Sequence, residues 1–432
     1  MVQFIIKRTE AEFINGNPGW SLIFGRRKVG KTFMVEHFVK HDVYFSVNID
    51  RTVRSKDIEM GFFDNLDTFS TVVINLLRKG RTCVIDEFQR LPLRTLEEIA
   101  RAHPNGRLIL TGSSMRTTTK IIGNNSPLLG IVLPSRLGLV RPKDLLSSLS
   151  GALPPFRAIE LAPVLRDPWT MQTYAETAFF DRLVRSLHLM VPVLIGEIFM
   201  DEERSLTQVY ASILSLIGAG HHDTWKIAQI LHSKRIIKTG SSANVLPYMN
   251  NMVEMGLLER TRQYGKRAHI YSVVSFPMSL YYYLDSRYEI SSREVSYSEV
   301  KPTVESQLRL GIEGFLADLF AEELGGRKEL IKDFDREIDL LVTVRNRPKL
   351  VGEVKWGRAT KGDVSYFLSK VEELKCRKVF VTLEPIDTDE VEVLTPGDIV
   401  RMAGGDSAGP RKGRGRRALR RSRKVPTPRR KG

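Results

Sequence analysis

The sequence predicts an α/β protein made of several units in line. Three observations predict it. Short β-rich runs alternate with helical stretches through residues 1–150, as in a parallel sheet with crossover helices. One of those runs leads into a glycine loop and then a helix. A second helix–strand–strand–helix–strand series returns between residues 304 and 382. The length, 432 residues, suits about three domains at roughly 150 residues each. A hydrophobic share of 42% and a charged share of 27% exclude a wholly disordered or fibrous chain.

Residues 1–150 form the first expected unit. Its clearest strands are Trp20–Phe24, Val43–Val47, Thr82–Ile85 and Arg107–Leu110, with helical patterns at Thr32–Val39 and Leu93–Ala102. Residues 151–204 read as helical, broken at Pro154-Pro155 and Asp167-Pro168, and are expected to be a lid or linker. Residues 205–295 read as three short helices and a β-pair. A polar linker, SSREVSYSEVKPT, runs to Thr303. The last α/β unit spans 300–390, with helix 304–323, strands near 336–344 and 349–356, helix 361–375 and strand 378–382. Residues 402–432 lack aromatic residues and are rich in Gly, Pro, Lys and Arg, the composition of a disordered basic tail.

The net charge of +16 is concentrated there. From Arg401 to the end, thirteen Lys or Arg face one acid, Asp406, so twelve of the sixteen net charges belong to the tail. Two distant cysteines, Cys83 and Cys376, predict neither a disulfide framework nor a cysteine zinc site, and suit a reducing cytoplasm. The N-terminal segment does not read as a signal peptide. The most apolar stretch, Leu189–Phe199, contains Pro192, Gly196 and Glu197 and reads as too short and broken to span a bilayer, so no membrane association is expected.

The segment Gly25-Arg26-Arg27-Lys28-Val29-Gly30-Lys31-Thr32 fits GxxxxGK[ST] between an apolar run and an amphipathic one. A strand feeding a glycine loop into a helix N-terminus presents backbone N–H groups and a helix dipole to an anion. Lys31 would reach the terminal phosphates and Thr32 would ligate Mg²⁺. Thr82-Cys83-Val84-Ile85 then ends in Asp86-Glu87, at the carboxyl end of a strand where parallel sheets bind ligands. Asp86 would hold the Mg²⁺ shell and Glu87 would polarise the attacking water. A third strand ends in Thr111-Gly112-Ser113-Ser114, whose hydroxyls suit γ-phosphate sensing. Ser113 is the named candidate, with Ser114 left open. Arg116 and Arg136 are candidate arginine fingers, with a solvated surface role the alternative for each.

GRRKVGKT, CVIDEFQR and LILTGSS together resemble an archaeal P-loop ATPase family related to the AAA+ and STAND classes. The resemblance implies ATP as the nucleotide, a helical lid after the core and a winged helix beyond it. A GGxP lid motif common in that family is replaced here by Gly151-Ala152-Leu153-Pro154-Pro155.

Residues 206–274 read as helix-turn-helix with a wing. The helices include 224–231 and 242–255, followed by strands Leu257–Arg262 and Ala268–Val273. Lys226, Lys234, Arg235, Lys238, Arg260, Arg262, Lys266 and Arg267 supply positive charge for DNA phosphates. Helix 242–255 itself carries no Lys or Arg, so base readout is expected to be poor, and a packing or protein-docking role is the alternative. His221-His222-Asp223 reads as a capping turn rather than a metal site.

In the last unit, a strand through Asp339 turns at Arg345–Pro348 and returns through Glu353 and Lys355. Side chains alternate along strands, so Glu353 and Lys355 share a face, and a loop centred near Asn346 sets Asp339 opposite Glu353. Two carboxylates and an ammonium there can hold Mg²⁺ and orient water. Upstream, Glu313 lies on the apolar face of helix 304–323, where a buried carboxylate needs a partner. The order helix-Glu, Asp-x13-Glu-x-Lys, helix, strand resembles the PD-(D/E)xK nuclease superfamily and the restriction-endonuclease-type domain at the C-terminus of many of these archaeal ATPases. The resemblance implies Asp339 and Glu353 as metal ligands, Lys355 as the water-positioning base and Glu313 as an auxiliary ligand. Ile338 stands where that superfamily often has proline.

The expectation is a cytoplasmic ATPase using ATP and Mg²⁺ and coupling turnover to DNA binding or cleavage through winged helix, nuclease-like domain and basic tail. Oligomerisation is left open. The alternative is an ATP-driven switch or transcription regulator whose C-terminal domain is non-catalytic.

Overall fold

A computed structural model of the chain describes residues 4–57, 60–114, 126–202, 204–332 and 337–404. The first unit opens with α1 (Thr9–Gly16), β1 (Trp20–Phe24), α2 (Lys31–Phe38), β2 (Val43–Val47), β3 (Val53–Ser55) and β4 (Phe62–Phe63). It continues with α3 (Leu66–Arg78), β5 (Thr82–Asp86), α4 (Leu93–Ala100), β6 (Arg107–Gly112) and β7 (Val132–Arg136). The strands make one sheet in the order β4-β3-β2-β5-β6-β1-β7. Strands β2, β5, β6, β1 and β7 run parallel. Strands β3 and β4 are antiparallel additions at one edge, which the alternation pattern does not announce.

The apolar runs are continuous because both sheet faces are covered. Leu22, Phe45, Ile85 and Leu110 face a core with α3 and α4. Their neighbours Ile23, Tyr44, Val84 and Ile109 face one with α1 and α2. Parallel register brings Phe24 beside Gly112 and Asp86 beside Thr111, so the loops after β1, β5 and β6 meet at one end.

After α5 (Pro142–Leu149), the segment expected to be a lid or linker holds α6 (Pro155–Leu165), a 3-10 turn at Pro168–Thr173 and α7 (Phe179–Asp201). Pro192 and Gly196 lie inside α7, which is unbroken for 23 residues. The break expected at Leu189–Phe199 is therefore absent. Burial of Leu187, Val191, Leu194, Ile195 and Ile198 outweighs the hydrogen bond that proline removes. By length and composition α7 could cross a membrane, yet one face is packed into the largest core of the protein.

Next come α8 (Gln208–Gly218), α9 (Thr224–Ser233) and a 3-10 turn at Ser242–Asn244. Then follow α10 (Leu246–Glu254), the hairpin β8 (Leu258–Arg262) with β9 (His269–Val273), and α11 (Phe276–Tyr288). The helix expected over 242–255 is thus split, with Pro247 at the start of α10. Asp223 caps α9 through the Lys226 amide (2.8 Å), as its capping turn predicts.

The C-terminal unit begins with α12 (Tyr297–Glu323), which takes up the end of the expected linker despite Pro302. It proceeds through β10 (Arg327–Lys328), β11 (Ile331–Lys332), β12 (Glu337–Ile338), β13 (Leu340–Val344) and β14 (Arg347–Lys355). Then come α13 (Lys361–Lys370) and β15 (Arg377–Thr382). The structure carries this unit past residue 390 with β16 (Glu392–Leu394) and α14 (Pro396–Ala403). Five strands pair in the order β10-β13-β14-β15-β16. Ile399, Val400 and Ala403 of α14 join the core of the lid helices, and Trp356 stacks on Phe156 with ring centroids 5.6 Å apart. The remaining tail residues and Arg116 lie outside the described residues.

The phosphate-loop turn depends on Gly25, where a Cβ would collide with the Leu137 carbonyl. Gly25→Ala is expected to cost about 1–3 kcal/mol in urea unfolding, the usual range for overpacking. Gly16→Ala, whose Cβ meets nothing within 4 Å, should leave the transition in place.

Candidate functional site

The loop between β1 and α2 turns with Lys28 (φ 65°) and Gly30 (φ 88°) left-handed. Gly30 starts α2, so Lys31 and Thr32 occupy its first turn. The Lys31 ammonium is buried and donates to the carbonyls of Gly25 (2.7 Å) and Arg26 (3.0 Å). Burial pushes it down to about 8, although Glu87 and Asp86 pull the other way. No carboxylate among the described residues forms an ion pair with it. A buried cation held by neutral carbonyls, facing a cavity, fits an anionic ligand.

Asp86 collects the polar groups beneath the loop. Its carboxylate accepts from Thr32 Oγ1 (2.9 Å), Tyr44 OH (2.7 Å), the Glu87 amide (3.0 Å) and Thr111 Oγ1. Burial followed by the Asp86 charge raises the Tyr44 hydroxyl far above its ordinary range, so Tyr44 stays a donor. Thr32 and Asp86, the expected Mg²⁺ holders, therefore touch directly. Glu87 adopts a left-handed backbone (φ 57°), which turns it away from the strand toward the cavity. Its carboxylate accepts from Gln89 Nε2 (2.7 Å) and Ser113 Oγ (3.3 Å), and Arg90 lies 3.5 Å away. Ser113, Glu87 and Gln89 thus form a triangle at the mouth. Sequence reading missed Tyr44 and Gln89, and Thr111, named there among hydroxyls suited to phosphate sensing, instead donates to Asp86. Tyr44 looks like an ordinary strand residue, but the parallel pairing of β2 with β5 sets it beside Val84, two residues from Asp86.

The cavity over this loop is about 700 Å³ and is roofed by Pro168, Trp169, Met171 and Tyr174 from the lid. Lid and loop are joined by charge. Arg26 donates to Asp167 at 2.6 Å, both side chains almost fully buried. Arg27 pairs with Glu197 (2.8 Å) and Asp201 (3.3 Å) of α7. The Arg26 side chain is turned to Asp167, whereas Arg27 lines the cavity while pairing with α7. Val29 is buried and its carbonyl accepts from Arg8 (2.9 Å), while Lys28 is exposed beside the cavity. Arg136 reaches the carbonyls of Val253 (3.5 Å) and Glu254 (3.4 Å) at the end of α10. It is exposed there, as a surface arginine.

In the C-terminal unit Leu340 pairs with Gly352, which sets Asp339 across from Glu353 as the sequence spacing requires. The route differs. The turn is two residues, Arg345 and Asn346, both left-handed, and a bulge after Val342 supplies the odd residue. Asp339 accepts from the Val354 amide at 2.9 Å. Glu353 is 6% exposed, with Lys355 Nζ 3.5 Å and Lys370 Nζ 4.0 Å away, and its Oε2 has no hydrogen bond among the described residues. Burial, then the Glu353 charge, raises Asp339 to about 6. Burial, then Asp339, Glu337 and Glu353, raises Glu313 to about 8. Glu313, Asp339, Glu353 and Lys355 therefore share one electrostatic neighbourhood. Among the described residues, however, no three His, Cys, Asp or Glu side chains are grouped closely enough to cage a metal ion. The donor set fits a hard cation held by Asp339 and Glu353 and otherwise by water. Glu313 is a neighbour rather than part of a three-carboxylate cage.

A second charged cluster links the units. Arg166, next to Asp167, pairs with Asp318 of α12 (2.6 Å), and Lys328 bridges Asp318 (2.9 Å) to Glu259 of β8 (2.7 Å). Burial raises Asp318, but Lys328 and Arg166 more than offset it. The hairpin is also held. The Tyr264 amide donates to Leu330 O (2.8 Å), the Leu330 amide to Arg262 O (3.0 Å), and Arg262 to Asn346 (3.2 Å). The expected wing therefore does not offer Arg262 freely, because an edge strand has found a partner. Lys226, Lys234, Arg235, Lys238, Arg260 and Arg267 are exposed.

Residues 17–127 match the AAA domain family. Among solved structures, the Aeropyrum pernix ORC2 protein in its ADP form is 14% identical. That match covers 72% of this chain and 96% of that one, with a TM-score of 0.30. The Aeropyrum pernix ORC1 protein in complex with DNA is 12% identical over 66% and 94%, at 0.27. Drosophila ORC bound to DNA is 10% identical over 64% and 83%, at 0.22. No curated protein sequence matches the chain significantly.

The raised carboxylates make stability depend on pH. Between the ordinary carboxylate range and about 8, the folded state binds more protons than the unfolded state, so stability falls as pH rises. Without divalent cations, urea unfolding should show a loss from pH 5 to pH 8, and Glu313→Gln should flatten the upper part of that loss. An equal slope in both proteins would contradict the assignment.

Proposed function

We propose that this protein is a Mg²⁺-dependent ATPase whose nucleotide state controls a DNA-binding C-terminal half with a nuclease-type carboxylate site. The observation that carries the first part is the buried Lys31 ammonium beneath the lid, beside the Thr32–Asp86 pair. Lys31 would meet the β- and γ-phosphates, with backbone N–H groups of the loop around them. Thr32 and Asp86 would hold Mg²⁺, which when bound neutralises charge on the phosphate oxygens. Glu87 would take a hydrogen bond from the attacking water, aimed by Gln89 and Ser113. Phe4, Tyr174 and Trp169 line the same cavity and suit the adenine.

For the second half, α8, α9, α10 and the hairpin are read as a winged helix, and residues from α12 to β15 as a PD-(D/E)xK-like domain. Asp339 and Glu353 would hold a divalent cation and Lys355 would orient water. The exposed cations of α9 and of the segment after it would meet phosphates without reading bases. The chain from Asp167 and Arg166 through Asp318 to Lys328 and Glu259 supports a route by which lid movement reaches both modules. The bound hairpin favours a second reading, an ATP-driven switch that binds DNA or protein without cutting.

Lys31→Ala should lose ATP binding in calorimetry. Glu87→Gln should keep it and lose at least about a hundredfold in phosphate release, the usual scale for a positioned base. Undiminished turnover in Glu87→Gln would remove that role.

Asp339→Ala should abolish Mg²⁺-dependent cleavage of branched, nicked and single-stranded DNA while ATP turnover persists. If the unaltered protein cuts none of these with or without ATP, the switch reading takes precedence.

A further inference from the structure

Lys370 is absent from the motif that describes the carboxylate site, yet it stands inside it. It projects from the last turn of α13, with its ammonium 4.0 Å from Glu353 Oε2. It also lies 4.5 Å from the centroid of the Tyr366 ring and 3.4 Å from the Glu337 carbonyl oxygen. The side chain is 17% exposed, against 41% for Lys355 on the other side of Glu353. The Glu353 oxygen nearest Lys370 is buried and has no hydrogen bond among the described residues. At 4.0 Å the pair attracts but does not close. Such an oxygen is held for something that binds it more tightly than an ammonium at that range.

We propose that Lys370 is an internal counter-cation, occupying the Glu353 side of the site until a divalent cation enters and then turning to a nucleic-acid phosphate. The inference rests on the carboxylate site being a cation site. Two consequences of opposite sign follow. Lys370 competes with the divalent cation for Glu353, so losing its charge favours cation binding. It also supplies one positive charge to the polyanion, so the same loss disfavours DNA. Tyr366, exposed beneath the ammonium, limits the directions in which Lys370 can move. A merely structural lysine would weaken both bindings when removed.

The test uses the full chain without nucleotide, with Mn²⁺ followed by electron paramagnetic resonance and phosphorothioate DNA by fluorescence anisotropy at a fixed, saturating Mn²⁺ concentration. Mn²⁺ binding that Asp339→Ala removes is assigned to this site. Lys370→Met keeps the aliphatic length over Tyr366 and should tighten that binding roughly threefold to tenfold, the scale of one charge about 4 Å away in a water-like dielectric. It should also weaken DNA binding and reduce the log–log salt slope by about 0.7–0.9. Lys370→Arg, with charge retained, should restore the DNA slope. Asp339-dependent Mn²⁺ binding that Lys370→Met weakens or leaves unchanged overturns the inference alone. No Asp339-dependent Mn²⁺ binding in either the unaltered protein or Lys370→Met overturns the cation-site reading and the inference with it.

Discussion

The ion pair between Arg26 and Asp167 is the constraint on which the arrangement turns. It joins the phosphate loop to the lid across 141 residues of sequence, with both side chains nearly excluded from water. Desolvating two charges is costly, and the 2.6 Å contact offsets that cost only while both partners stay. Asp167 Oδ1 has no hydrogen bond among the described residues, so a lid that lifted would expose an already under-satisfied carboxylate. The roof over the cavity, Pro168 and Trp169, follows directly from Asp167 along the chain.

The same short segment carries the structure outward. Arg166 faces the opposite way and holds Asp318, five residues beyond Glu313 on α12. The two candidate sites have complementary electrostatic problems. The phosphate loop buries a cation with no ion-paired carboxylate among the described residues. The C-terminal sheet buries carboxylates that outnumber the cations between them, so Glu313 and Asp339 are driven toward protonation. A ligand of opposite charge would relieve each, and the charged contacts that begin at Arg26 and Asp167 run on from Arg166 through Asp318 and Lys328 to Glu259.

The local parts of this account were legible in the sequence. The loop from Gly25 to Thr32, the Asp86-Glu87 strand end and the pairing of Asp339 with Glu353 all follow from short-range spacing. The last was reached on a loop centred at Asn346, whereas a two-residue turn and a bulge produce the same register. What the sequence hid is long-range. Nothing near Arg26 announces Asp167, nothing near Asp86 announces Tyr44, and Lys370 looks like a lysine on an ordinary helix end. Helix limits failed where tertiary burial overrode local breakers, at Pro192 in α7 and Pro302 in α12. The hairpin looked like a free basic wing because its pairing with Leu330 lies more than sixty residues away.

Nucleotide bound at the phosphate loop should be felt at the C-terminal carboxylates through Asp167, Arg166 and Asp318. Hydrogen–deuterium exchange with and without ATP and Mg²⁺, in the unaltered protein and in Arg166→Gln, tests it most directly. Exchange should slow in the phosphate loop and over residues 155–201 of both proteins. Exchange over residues 313–332 and 337–355 should change in the unaltered protein alone. Nucleotide protection of the loop and lid with no change over 313–332 and 337–355 in the unaltered protein would contradict it.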